Sequence, residues 1–323
     1  MFKKKLGFLL GVMVLLALAG YLVCLSAGSS KQRNKDTGFL VVTSFYPMYI
    51  LAENLTEGVE GVEVSNLTEN QTGCLHDYQL TSRDMKLLSG ADVFLINGAG
   101  MELFMEKVLE NRPALPVIEA SHDIELLTGV AHNHHHGEDV QEEESHDAHD
   151  HEAGNGHVWM DVEKYRRQAQ RVKGELIRLL PDRADELEAA AANYDEKLNA
   201  LSAEVAELKG TTEGMHVVIF HEAFAYLADS LGMEVLTALS LDEETVPGAG
   251  EIAEVIEEIN YHGTALIFIE ESYASYADKI LAETAAEVVY LDPLTTGDGT
   301  VDSYLTGMRK NLEAIRKVAE ESK

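Results

Sequence analysis

Apolar residues recur along this chain in two rhythms, short β-branched runs and longer stretches of helical period, and their alternation predicts strands and helices in turn. Residues 40–44 form a first strand candidate, a helical segment follows to residue 55, and residues 62–67 form a second strand. Thr81 with Asp84 three positions on has the form of a reciprocal helix cap, and a strand over 91–97 and a helix over 101–111 follow. Asp161 is placed to cap a helix running to about residue 180, where Pro181 stops it. Residues 183–209 are dense in Ala, Leu, Glu and Lys, the strongest helix formers, which predicts one helix of roughly 40 Å at about 1.5 Å per residue. Periodicity alone leaves it either a rigid spacer between domains or an ordinary surface helix.

A second alternating set comes next: strand 217–220, helices 222–231 and 250–261, strand 265–269, helix 277–286, strand 288–291, and a closing helix over 305–320. The expected fold class is therefore α/β, with two parallel-sheet lobes joined by one long linker helix. The expected division is a leader and tether over 1–38, an N-terminal lobe over 39–182, the linker helix over 183–210 and a C-terminal lobe over 211–323.

The amino terminus changes the picture of where such a protein works. MFKKK precedes an apolar run over residues 6–23, a charged region and a hydrophobic region of the kind that directs export. Residues 17–19 resemble a signal-peptidase site, whereas Val23 is large for a lipobox ahead of Cys24; cleavage, lipidation at Cys24 and an uncleaved anchor all stay open. Attachment to the outer face of the cytoplasmic membrane or the cell surface is favoured. The formal charge of −31 argues against nucleic acid and anionic lipid as partners and suits small cations. Cys24 and Cys74 are the only cysteines, so no disulfide framework is available.

Charge and histidine coincide in one segment, residues 131–156, which holds seven of the thirteen histidines among eight carboxylates. With almost nothing apolar to bury, it cannot belong to a core. His132, His134, His135, His136, His146, His149 and His151 are candidate low-affinity metal ligands, since neutral imidazole binds Zn(II), Ni(II) and Cu(II).

Among the remaining histidines, three stand at the edges of predicted elements. His76 lies between a strand and the Thr81 cap, His157 just before a helix, and His221 directly after the strand VVIF. Asp292 likewise falls just past a strand. Ligands of open α/β sheets bind outside the carboxyl ends of strands, where such residues converge. Three imidazoles and one carboxylate suit tetrahedral Zn(II); Mn(II) prefers more oxygen, while nickel and copper stay open.

The segments GCLHDYQLTSRD, GHVWMD, IFHEAFAYLADSLG and VVYLDPLT resemble, in order and spacing, the metal-ligand motifs of zinc- and manganese-binding solute-binding proteins of ABC importers. A His-rich loop between the first and second motifs is typical of the zinc-binding members. The resemblance runs from about residue 40 to the C-terminus. It implies two α/β lobes joined by a long helix, Zn(II) held in the cleft between them by His76, His157, His221 and Asp292, and Mn(II) as the less favoured ion. It also implies a membrane permease with a cytoplasmic ATPase as partner; a monomer and no enzymatic activity are expected. Glu270 matches a position where the family commonly carries Glu, and a hydrogen bond to a ligating histidine is its expected role, direct ligation being the alternative. Two departures stand out. Cys74-Leu75 replaces the usual Glu-Pro, so a small buried side chain behind the loop is the expected role of Cys74, a thiolate donor in place of Asp292 being the alternative, and Val162 follows Asp161 where Pro is common.

The residues also admit rivals: a manganese-binding member, a secreted zinc enzyme with Asp292 or Glu222 as base, or a zinc buffer or adhesin. His221-Glu222 lacks the second histidine of an HExxH helix, which weakens the enzyme.

Overall fold

Residues buried on both faces form the central strands of two sheets. The computed structural model describes residues 38–68, 75, 78–128, 154–239, 247–263 and 265–321. The first sheet contains β1 (Phe39–Thr43), β2 (Val62–Asn66), β3 (Val93–Ile96) and β4 (Val117–Glu119), in the order β2-β1-β3-β4. The second contains β5 (His216–Ile219), β6 (Glu234–Ala238), β7 (Ala265–Ile269) and β8 (Glu287–Tyr290), in the order β6-β5-β7-β8. Every pairing is parallel, so each lobe is an α/β unit and the two repeat one topology. β3 and β7 are buried at every position, as expected of central strands covered on both faces.

The helices are α1 (Tyr46–Leu55), α2 (Ser82–Gly90), α3 (Met105–Asn111), α4 (Val162–Leu179), α5 (Ala184–Thr212), α6 (Ala223–Ser230), α7 (Ala249–His262), α8 (Ala274–Leu281) and α9 (Ser303–Glu321). Thr81 and Asp84 form the reciprocal cap of α2. Asp161 caps α4, accepting from the Glu163 and Lys164 N–H groups at 2.8 and 3.0 Å. α4 buries Val162, Tyr165, Ala169, Val172 and Leu176, a three-and-four spacing that lays one apolar stripe inward. α5, of 29 residues, does the same with Leu187, Tyr194, Leu198, Leu201, Val205 and Leu208. It packs on α1 and α4 of one half and α6 and α9 of the other.

One hydrophobic core joins the halves: Val41, Phe94 and Leu95 share a cluster with Val217, Ile219, Leu266 and Phe268. The alternate residues of the second sheet, Val218, Ile267 and Ile269, face a separate cluster with Ile252, Val255 and Ile259 of α7. The period of two along β5 and β7 thus divides each strand between a shared core and a local one.

Several expectations are corrected in detail. α3 begins at Met105 rather than near residue 101, because residues 99–104 form a turn around the buried Glu102. α8 occupies 274–281 rather than 277–286, following a single 3₁₀ turn over Glu271–Tyr273. β4 and β6 are additional to the expected strands; β4 spans only three residues, and Glu234 and Thr237 interrupt the apolar run of β6. No described helix is long and apolar enough to cross a membrane. Cys24 and the leader, Cys74, His76 and the seven histidines between 132 and 151 lie outside the described residues.

Candidate metal centre

The carboxyl ends of neighbouring strands bring the first pair of site residues together. β5 ends at Ile219, two residues before His221, and its partner β7 ends at Ile269, directly before Glu270. His221 Nδ1 lies 2.9 Å from Glu270 Oε1. An ionised carboxylate only accepts, so Nδ1 holds the proton and, in the neutral ring, Nε2 carries the lone pair. The chain leaves β5 toward β6 on one side while β7 lies on the other, which makes this the switch point of the second sheet, where ligand crevices open.

His157 is fixed by a different device. Asn97, just beyond β3, donates its Nδ2 to the Gly156 carbonyl at 2.9 Å, tying this segment to the first sheet. A Cβ at Gly156 would stand 2.7 Å from Met101 Sδ and 2.8 Å from the Ala99 carbonyl, so only glycine permits the approach. Asn155 Oδ1 accepts from both the backbone N–H and Nδ1 of His157, each at 2.9 Å. Its Nδ2 donates to the Glu222 carbonyl at 2.8 Å, which fixes the amide orientation and assigns His157 the same tautomer as His221. The two imidazoles stand with centroids 5.1 Å apart and planes at 81°. His157 is almost fully buried, and the His221 side chain is 13% exposed.

Asp292 follows β8, the strand beside β7. Its Oδ1 accepts from the Leu294 N–H at 2.7 Å in a tight turn that holds Leu294 in the left-handed region at φ 60°. Asn311 of α9 brackets its backbone, accepting from the Asp292 N–H at 2.9 Å and donating to its carbonyl at 2.8 Å. Burial pushes the carboxyl above its ordinary value; the Leu294 N–H opposes this, Glu270 adds to it, and Lys310 pulls it down. Glu270, Tyr290, Asp292, Thr295, Lys310 and Asn311 line a cleft of about 400 Å³. Trp159, the single tryptophan, connects the parts: its ring lies 5.1 Å from that of His157 and its Nε1 donates to the Pro293 carbonyl at 2.8 Å.

The structure therefore brings His157 and His221 together, gives His221 its Glu270 partner, and sets Asp292 in the adjoining cleft. Among the described residues no three His, Cys, Asp or Glu side chains close on one point. His216 and His262 pair at 4.8 Å, but His216 opens β5 and so sits at the opposite end of that sheet. His122 is exposed beside Glu119 and Asp123.

Reading the sequence alone missed Asn155, Trp159, Tyr226 and Glu102. Glu102 is buried below β1 and β3, accepting from Ser44 Oγ and the Asn97 N–H at 2.8 Å and from the Gly98 N–H at 3.0 Å. Desolvation nonetheless pushes its carboxyl up to about 7. Only the Asn97-Gly98 pair hints at a turn here, and nothing local signals the anion-sized nest that follows.

Two parallel-sheet lobes share a core, with paired imidazoles at their junction, and define a two-lobed α/β fold. Solved structures agree on the fold: the solute-binding protein FpvC of Pseudomonas aeruginosa, in complex with Mn2+, superposes with a TM-score of 0.74 at 23% identity, covering 88% of this chain and 100% of that one. The chain belongs to the family of the zinc-uptake complex component A, periplasmic (ZnuA), whose profile matches residues 41–318. It is similar to the zinc-binding protein AdcA of Streptococcus pyogenes, 27% identical over 94% of this chain, and spans 61% of that relative's length. It is also similar to the high-affinity zinc uptake system protein ZnuA of Bacillus subtilis, 26% identical over 98% of both chains.

Proposed function

We propose that this protein captures Zn(II) outside the cytoplasmic membrane and delivers it to an ABC permease driven by a cytoplasmic ATPase. The ligands are His76, His157, His221 and Asp292, three imidazole nitrogens and one carboxylate oxygen. The observation that carries this is the placement of His157 and His221. With Zn–N of about 2.0–2.1 Å and tetrahedral angles, two imidazoles on one ion have centroids roughly 5 Å apart, which is the separation found. Each ring also has its Nδ1 held by an oxygen, the arrangement that aims Nε2 at a metal. A nitrogen-rich set favours Zn(II) over Mn(II), and the zinc-named relatives support the same choice.

Four protein donors leave no open position for an activated water, so the ion is cargo and the protein is not an enzyme. Protons compete for every donor, and affinity falls as pH falls. The shared core and the long α5 resist wide hinge opening, so release proceeds by small shifts around His157 and Asp292 on docking to the permease. In this reading the lobes are residues 39–182 and 211–323 about the linker helix 183–210, the exported monomer is held at the membrane surface, and the histidines of 131–156 collect zinc at low affinity. A strain lacking the protein should grow poorly under zinc limitation and recover with added zinc; normal growth of that strain would point instead to a buffer or adhesin.

A further inference from the structure

Asn155 and Tyr226 make contacts that zinc binding does not itself require. Tyr226 is fully buried on α6, beyond His221, and its hydroxyl works in two directions. It accepts from the Leu127 N–H at 3.1 Å and donates to the Asn155 carbonyl at 2.6 Å. Leu127 and Asn155 are themselves joined, the Asn155 N–H donating to the Leu127 carbonyl at 2.8 Å. One phenol thus clamps both ends of the segment between residues 127 and 155 onto the second lobe. Burial pushes that hydroxyl up to about 12, against the Leu127 N–H, so it remains a donor across the physiological range.

Asn155 completes the connection through its side chain. Its oxygen holds His157 twice, and its nitrogen reaches the carbonyl of Glu222, the residue after His221. The amide therefore spans from one imidazole to the backbone beside the other, while its own backbone is fastened to Tyr226. This amide bridge supplements the direct ring contact of His157 with His221.

Resting on the zinc-capture reading, we propose that Asn155 and Tyr226 are positioning residues that latch His157 against His221 across the lobes and so set the rate at which bound zinc is released. The latch acts by orientation: breaking it leaves the donors in place but allows His157 to swing away from the shared ion. The loss should therefore appear in dissociation, with association governed by encounter and little changed.

Two variants separate the parts. Tyr226→Phe keeps the ring in the core and removes only the hydroxyl. Asn155→Asp keeps an oxygen acceptor for His157 but replaces the donor to the Glu222 carbonyl with a repelling oxygen. Zinc-loaded full-length protein is mixed with excess chelator in a stopped-flow instrument, and association is measured separately. Amide hydrogen exchange at Leu127 is followed in the metal-free protein, and thermal unfolding reports on folding. Each variant should release zinc about tenfold faster, the change expected from one lost hydrogen bond in a buried setting, with association within twofold. Leu127 should lose protection in Tyr226→Phe.

Wild-type release rates in a variant with lowered thermal stability would overturn the latch and leave a merely structural contact. Unchanged Leu127 exchange in Tyr226→Phe would overturn the clamp even if zinc binding were never observed. A wild-type protein that takes up no zinc would instead remove the capture reading, and the release role with it.

Discussion

Removing the carboxylate of Glu270 isolates the orienting hydrogen bond from the proposed metal ligands themselves. Glu270 holds His221 Nδ1 at 2.9 Å, and its side chain is 26% exposed, so its bare charge is partly screened and its main contribution is to fix the ring. Loss of such a partner typically costs about 10–100-fold in metal affinity, or ~1.4–2.7 kcal/mol. Partial exposure places Glu270→Ala in the lower part of that range, about 10–30-fold. One effect opposes this loss. Glu270 also pushes the Asp292 carboxyl upward, so its removal makes that carboxylate easier to ionise. That relief acts where Asp292 is partly protonated, so the deficit narrows as pH falls. Glu270→Gln retains an acceptor oxygen without charge and should stay within about threefold of wild type. The assay is competition against a zinc chelator, read by the fluorescence of Trp159, whose ring lies 5.1 Å from His157. Affinity of Glu270→Ala within twofold of wild type at pH 7.5, or equal losses in the Ala and Gln variants, would refute the orienting role.

Gly156→Ala should weaken zinc binding at least tenfold and lower stability by about 1–3 kcal/mol, because the new methyl meets Met101 and the rigid Ala99 carbonyl; calorimetry and the same competition assay test both. Asp161→Ala removes the acceptor of two N–H groups at the start of α4 and should cost about 1–2 kcal/mol in urea unfolding, with no loss falling on the Glu270 contact. Glu102 gives the metal-free fold a distinctive pH dependence. Its folded value, about 7, lies above the ordinary glutamate value of 4.5, so its contribution is fully present below 4.5 and is lost as pH rises from there through about 7. The metal-free protein should therefore lose stability between about pH 4.5 and 7 and level off above that, by an amount on the order of 1–3 kcal/mol. Glu102→Gln should flatten that slope while losing stability at low pH, where its amide nitrogen faces the Gly98 N–H.

The parts of the fold that could be read along the chain are those fixed by local chemistry. β7 is legible because ALIFI is apolar throughout, and α4 and α5 because their buried residues keep helical spacing. The caps at Thr81 and Asp161 are legible for the same reason, since each acts within three residues. Strand β4 escaped notice because it is only three residues long, and β6 because Glu234 and Thr237 interrupt its apolar run. His157, His221 and Asp292 stood out by position at element ends and by their motifs. Asn155 and Tyr226 could not, since their bond joins residues 71 apart and each looks locally like an ordinary turn or core residue. Glu102 was hidden likewise: its three donors come from two strand exits that only the sheet brings side by side.

The most direct measurement is an equilibrium competition titration of protein lacking residues 131–154, with Zn(II) and Mn(II) offered together and bound ions counted by native mass spectrometry. One tightly held zinc per chain is expected, retained without the His-rich segment and lost when His76, His157 or His221 is replaced by Ala. Absence of a tight ion in the shortened protein, or a tight ion that survives replacement of both His157 and His221, would contradict a zinc site built at the junction of the lobes.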